Sequence, residues 1–414
     1  MTKRKILIVT GAGSTIDFGM PSVWQVGEVI KAEMQKVFPL ANRPNANLYG
    51  FVESSIRRHW NNVPSYLRRD PNFEDVLYAV FAASGLLSAS ASASGLGALV
   101  KTKKLPDFRF FDREPKSVDR FELYNLGSFA VDAILADVRE RCRIAERDRS
   151  AQFGELQSFV SELQKTFDVA VVTLNYDNVL YRALPNIEIG FDPRTGRFQD
   201  ERLFFRVDWP CMLHLHGSVH FDMPTPSKAD MHEIFWQPDI DASFAQNSSG
   251  RSRHPNPEGT EFPTSAIVAG YGKSMQLVRR PFRSYYAELD RLVASCDALL
   301  LAGYGFGDQH LNVAFERFRD ARRRPVVILD YAKRGSSTLG GFEDQALATA
   351  VVHTFQTDLH SMRWLGHSVP GEVDALIDAA DFETSNDPAT PLSVWYGGMT
   401  EACRLPDKLI ARLK

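Results

Sequence analysis

Four short patches of the chain carry residue types that handle phosphates, sugars and protons. The first is Gly11-Ala12-Gly13-Ser14-Thr15, closing at Gly19-Met20-Pro21. Glycines let a backbone approach a phosphate closely, and the amides of the turn that follows can hold it. Position 16 is Ile16, so the spacing is not Gly-x-Gly-x-x-Gly and the ordinary dehydrogenase fingerprint fails. A purely structural turn is the competing reading. The second patch is Thr173-Leu174-Asn175-Tyr176-Asp177. Asn175 offers amide donors and an acceptor to a sugar hydroxyl or a water, and Asp177 can hold a polar partner. Both residue types also serve as N-caps, here ahead of a short helix at Val179–Leu184.

The third patch is Leu213-His214-Leu215-His216-Gly217-Ser218. Alternation along a strand places both imidazoles on one face. A histidine at a strand end beside a glycine can trade protons near neutral pH. A hydrogen-bonded structural histidine is the alternative, more so for His214, and no third ligand stands near to complete a metal site. The fourth patch runs Gly303-Tyr304-Gly305-Phe306-Gly307-Asp308-Gln309-His310-Leu311-Asn312, with Asp308 as candidate cap of the next helix. Further on, Asp330 follows an apolar run, where a carboxylate can take both hydroxyls of a ribose or simply face solvent.

Each patch follows a short apolar run. Ile6–Thr10, Val169–Thr173, Met212–His216, Ala298–Ala302 and Val326–Leu329 read as buried strands. Helical patterns lie between several of them, at Phe282–Ala294 and Leu311–Phe318. The alternation predicts an α/β fold, a Rossmann-like doubly wound parallel sheet. In such sheets ligands sit at the carboxyl ends of the strands, so patches far apart in sequence can converge. Residues 23–164 break the alternation and read as a large helical insertion, with Phe73–Val80 and Leu123–Arg141 amphipathic. The expected division is a core of residues 1–22 and 165–360, the insertion, and an extension at 361–414 that is a candidate for oligomerisation. Ser88–Gly97 reads as a flexible loop in preference to a close-packed small-residue helix, and Asp239–Pro263 has loop composition.

The bulk numbers narrow the class. The chain has 414 residues, 44% of them hydrophobic, enough for a sizeable core. A net charge of −3 argues against a strongly basic nucleic-acid binder. Arg322-Arg323-Arg324 reads as cations at a helix C-terminus rather than as a nucleic-acid patch. The four cysteines, Cys142, Cys211, Cys296 and Cys403, show no Cys-x-x-Cys pair, which argues against both a zinc ribbon and a disulfide framework. The apolar run after Lys5 is too short for a signal peptide or a membrane span, so a cytoplasmic protein is expected.

Taken in order, Gly-Ala-Gly with a later Gly-x-Pro, then Thr-x-Asn-x-Asp, then His-Gly-Ser, resemble the sirtuin (silent-information-regulator) family. The stretch Gly303–Asn312 looks like the bacterial sirtuin-like proteins of anti-phage defence. The resemblance spans about residues 5 to 357. It implies an NAD+ site in which Gly11, Ala12, Gly13 and Thr15 line the phosphates. Asn175 and Asp177 would sit by the nicotinamide ribose, His216 would be the catalytic base, and Gly303, Tyr304 and Asp330 would touch the adenosine half.

Departures from the deacylase pattern sharpen the expectation. Sirtuin deacylases follow Gly-x-Pro with Asp-Phe-Arg, whereas this chain has Ser22-Val23-Trp24. Their zinc-binding cysteines are missing, and their acyl-lysine strand is replaced by Ala266-Ile267-Val268-Ala269-Gly270. With the acyl acceptor lost, water becomes the nucleophile. The resemblance thus implies an NAD+ hydrolase that releases nicotinamide and ADP-ribose, with NAD as substrate and no zinc. It further implies a homo-oligomer working beside a HerA-type hexameric ATPase in defence by NAD+ depletion. An NAD-dependent deacylase or ADP-ribosyltransferase, and a non-enzymatic NAD or ADP-ribose sensor, are the alternatives.

Overall fold

In a computed structural model, residues 3–64, 70–86, 105–223, 233–242, 244, 248–249, 264–270, 276–277, 279–318, 323–332, 334, 345–356 and 372–414 are described. Ser88–Gly97 lies outside them, as does most of Asp239–Pro263.

Seven strands form the central sheet: β1 (Arg4–Thr10), β2 (Phe167–Thr173), β3 (Met212–His214), β4 (Ala298–Ala302), β5 (Val326–Leu329), β6 (Glu383–Thr384) and β7 (Leu392–Trp395). Their order is β3-β2-β1-β4-β5-β7-β6, and every pairing is parallel except β6 with β7. The fold is the expected α/β one, a Rossmann-like doubly wound parallel sheet. The physical cause is plain in β4, whose five residues Ala-Leu-Leu-Leu-Ala are all buried. A strand covered on both faces has no use for polar alternation.

The sequence reading closes the core at residue 360, whereas the sheet takes two further strands from beyond it. The order reverses between β1 and β4, because β2 and β3 lie on one side of β1 while β4, β5 and β7 lie on the other. In open α/β sheets a reversal of this kind marks the edge where ligands bind, here at the carboxyl ends of β1 and β4.

The segment between β1 and β2 is mainly helical: α1 (Val23–Val37), α2 (Leu48–Trp60), α3 (Phe73–Leu86), α4 (Arg120–Asp148) and α5 (Ser150–Thr166). A small hairpin, Pro39–Leu40 with Arg43–Asn47, and the β-bridges Leu40–Phe108 and Phe108–Lys116 interrupt the helices. Ser22 and Gln25 start α1 with a reciprocal capping box. Asp119 accepts from the Glu122 amide to start α4. Phe81 of α3 lies against Gly127 of α4, where any Cβ would stand 2.1 Å from its ring. Later come α6 (Val179–Ala183), α7 (Phe282–Ser295) and α8 (Gln309–Phe315). The right-handed rule for parallel crossovers predicts α5 on one face of the sheet and α7 and α8 on the other.

Arg324 does act as a helix-terminal cation, on α7: its Nη1 donates to the carbonyls of Val293 (2.7 Å) and Cys296 (3.0 Å). No helix among the described residues is long and apolar enough to cross a membrane.

Candidate active site at the carboxyl edge of the sheet

The turn after β1 and the loop after β4 cross in backbone contact. The amide of Gly11 donates to Ala302 (3.0 Å) and that of Gly13 to the carbonyl of Gly303 (3.1 Å). A Cβ on Gly11 would stand 2.6 Å from the Gly303 oxygen, and one on Gly13 would stand 2.9 Å from the Gly303 Cα. These glycines therefore meet one another, which the phosphate argument alone did not foresee. The amides of Ser14 and Thr15 turn inward to Gly11 and Ala12. The amide of Ala12 makes no hydrogen bond among the described residues, so it is the turn's available donor.

Asn175 ties the loop after β2 to this turn. Its Nδ2 reaches the Gly11 carbonyl (3.0 Å), Thr15 Oγ1 (3.2 Å) and Ser14 Oγ (3.3 Å), while its amide N–H donates to Thr173 Oγ1. Its Oδ1 accepts nothing among the described residues. Asp177 combines two jobs. Its Oδ1 accepts from the Val179 amide at the start of α6, and its Oδ2 accepts from Thr15 Oγ1 at 2.9 Å. Burial pushes its carboxyl up to about 6, against the pull of those hydrogen bonds. Gly11, Gly13, Thr15, Asn175, Asp177 and Gly303 thus form one connected cluster.

His216 stands just beyond β3, buried, with Nε2 at 2.8 Å from Asp308 Oδ2. Its carbonyl accepts from the Val268 amide, and Tyr176 Oη donates to the Val268 carbonyl. The strap carrying Val268 continues to Gly270, which α3 covers: the nearest atoms to a Cβ there are the Tyr78 amide and the Glu74 carbonyl. The helical insertion therefore braces the backbone that holds His216. Asp308, read from sequence only as a helix cap, does cap α8 through Oδ1 to the Leu311 amide (3.1 Å). Its second oxygen serves His216. The two residues are 92 positions apart, and no local pattern could pair them.

Tyr304, expected at the adenosine, is buried with its hydroxyl engaged by the Asp308 carbonyl (3.0 Å) and Asn312 Oδ1 (2.7 Å). Asn312 Nδ2 in turn holds the carbonyl of Phe306, a non-glycine residue at φ +55°. Asp330 sits at the end of β5, apart from the cluster. Among the described residues its buried Oδ2 has no hydrogen-bond partner, and burial raises its carboxyl to about 6.

His214 goes elsewhere. The strand ends at His214 and the chain turns at Gly217 (φ +99°), so the alternation expected to bring both imidazoles to one face stops short. His214 is fully buried among Tyr181, Phe221 and Trp236, with neither ring nitrogen hydrogen-bonded. Burial lowers it to about 3, and lowers His220, stacked on Trp236, to about 4. Neither joins the His216 cluster. Among the described residues no group of three or more His, Cys, Asp or Glu side chains is placed to hold a metal ion.

No curated protein sequence matches the chain. Among solved structures, it is similar to a Sir2 homologue crystallised as an NAD complex, at 10% identity over 86% of this chain and 90% of that one, with a TM-score of 0.31. A mutant Sir2 homologue in complex with ADP-ribose is similar at 12% identity over 79% of this chain and 80% of that one, with a TM-score of 0.32. Residues 169–346, which carry Asn175, His216, Asp308 and Asp330, match the family model of the SIR2-like domain.

Proposed function

We propose that the protein cleaves the nicotinamide–ribose bond of NAD+ with water as acceptor, giving nicotinamide and ADP-ribose. The observation that carries this reading is the buried His216, held 2.8 Å from Asp308 in a loop that also meets the glycine turn tied to Asn175. Nicotinamide leaves as a neutral base from a pyridinium, so no acid is needed for its departure. What remains is an oxocarbenium-like ribose to be steadied and a water to be aligned. Asn175 Oδ1 orients a ribose hydroxyl or the water. His216 accepts the proton that the water or hydroxyl gives up. The Ala12 amide faces a phosphate, and Asp330 takes the adenosine ribose.

Chromatographic measurement of NAD+ with the purified chain tests the proposal, alone and with the product of a neighbouring gene. Loss of NAD+ that stops in both Asn175→Ala and His216→Ala is the expected result. Both variants consuming NAD+ at the parent rate refute it. Acyl-lysine peptides in the same assay would show acceptor-dependent turnover if deacylation were the reaction.

Unchecked NAD+ hydrolysis would harm its own cell. The chain is therefore read as a cytoplasmic homo-oligomer restrained or triggered by a HerA-type hexameric ATPase, in anti-phage defence by NAD+ depletion. Size measurement of the chain with and without that partner tests the assembly; a monomer in both cases refutes it.

A further inference from the structure

We propose that Asp308 is the positioning residue of His216: its carboxylate fixes the imidazole with the proton on Nε2 and anchors the ring over the crevice. The inference rests on the reading of His216 as the base.

An ionised carboxylate only accepts hydrogen bonds, so with Asp308 ionised the ring nitrogen 2.8 Å from its Oδ2 is an N–H. The lone pair of the neutral ring then lies on Nδ1, which is the nitrogen that takes a proton. When it does, the ring becomes a cation beside a buried carboxylate, with little water to screen the pair. The carboxylate itself cannot drift. Oδ1 is held by the Leu311 amide, and the Asp308 carbonyl is held by Tyr304 Oη, which also bonds Asn312. Asp308 is thus the fixed member of the pair, and the ring takes its orientation from it.

Strand order makes the contact long in reach. His216 follows β3 and Asp308 follows β4, and β2 and β1 lie between them. Three strand spacings amount to roughly 14 Å. The two loops lean over the ends of β1 and β2, where Asn175 and the glycine turn stand, and meet above them. Among the described residues, Tyr286 of α7 and Tyr304 of the same loop are titratable groups that feel the charge of Asp308. Burial pushes both phenols up, so they stay neutral.

Capping and positioning use different oxygens, so substitution separates them. Asp308→Asn keeps Oδ1 for the cap but turns an amide donor toward His216, which forces the ring's proton to Nδ1. Asp308→Ser keeps a capping oxygen without the charge and replaces Asn should that variant fold poorly.

The experiment uses full-length chain with 15N-labelled histidine, the His216 signals being identified by their loss in His216→Gln. The expected result is an Nε2–H ring in the parent and an Nδ1–H ring with a lower titration midpoint in Asp308→Asn. The kcat for NAD+ loss falls about 100-fold or more while KM stays within about twofold, at an unchanged thermal midpoint. The same tautomer and midpoint in both proteins overturn the proposal, whatever the activity. A parent chain that consumes no NAD+ under any condition overturns the assigned function instead, and the tautomer comparison still decides the role of Asp308.

Discussion

A Cβ added to Gly303, at φ +57°, would stand 2.1 Å from the amide nitrogen of Ser14. The neighbouring Gly305 and Gly307 have nothing within 4 Å of theirs. The loop after β4 therefore contains one glycine required by packing and two that are not. Gly303→Ala is expected to destabilise the protein by about 3 kcal/mol or more, since backbone must move and the left-handed conformation is strained. Gly305→Ala and Gly307→Ala should stay within about 0.5 kcal/mol of the parent. Urea unfolding of the three variants checks the contrast, and equal losses in all three would contradict the crossing.

Asn175 has a structural duty besides the catalytic one assigned to it. Its amide nitrogen serves the Gly11 carbonyl and two hydroxyls. Asn175→Ala should lower stability by about 1–3 kcal/mol while it stops NAD+ loss. Urea midpoints measured beside the NAD+ assay test this; unchanged stability would mean the amide ties nothing together.

Two kinds of buried group oppose each other in acid. His214 and His220 fall to about 3 and about 4 in the fold, below the ordinary histidine value. Their contribution is present above about 6.5 and is lost as pH falls, because the unfolded chain binds those protons first. Asp177 and Asp330 rise to about 6. For them the folded state binds protons first between about 4 and 6, so the cost of burying their charge disappears as pH falls. From pH 6 to 4 the two effects act in opposite directions. His214→Leu removes one histidine, so its stability relative to the parent should grow by about 1 kcal/mol per pH unit across that window. Denaturation at pH 7, 6 and 4.5 measures it, and parallel profiles would refute the assignment.

Asp330→Asn removes a carboxylate whose buried Oδ2 has no partner among the described residues. The folded value lies above the unfolded one, so the penalty is absent below about pH 4 and complete above about 6. The variant should therefore gain about 1–2 kcal/mol at pH 8 and nothing at pH 4. If Asp330 holds the adenosine ribose, KM for NAD+ rises several-fold at unchanged kcat. An unchanged KM would remove Asp330 from the site.

The five short apolar runs were readable because a strand covered on both faces leaves a continuous signature. β7 was not, since Leu-Ser-Val-Trp is short, carries a serine, and lies in a stretch without other strand signals. Asn175, Asp177 and the Gly11 turn could be nominated from residue type, and the structure joins them through Thr15. Asp308 could be nominated as a cap, yet its partner depends on how β3 and β4 are ordered in the sheet, which no spacing in the chain encodes. His214 shows the converse. Alternation was the right rule for a strand, and the strand simply ended there.

Trp395 and Gly398 clasp the backbone of Asp330 from both sides, the first accepting from its amide at 2.8 Å and the second donating to its carbonyl at 2.9 Å. A proteolytic cut between β6 and β7 would loosen the edge that steadies this carboxylate while sparing every residue around His216. If Asp330 holds the adenosine ribose and His216 is the base, as proposed, such a nicked molecule would bind NAD+ more weakly at an unchanged kcat, so a protease could separate affinity from chemistry without a single substitution.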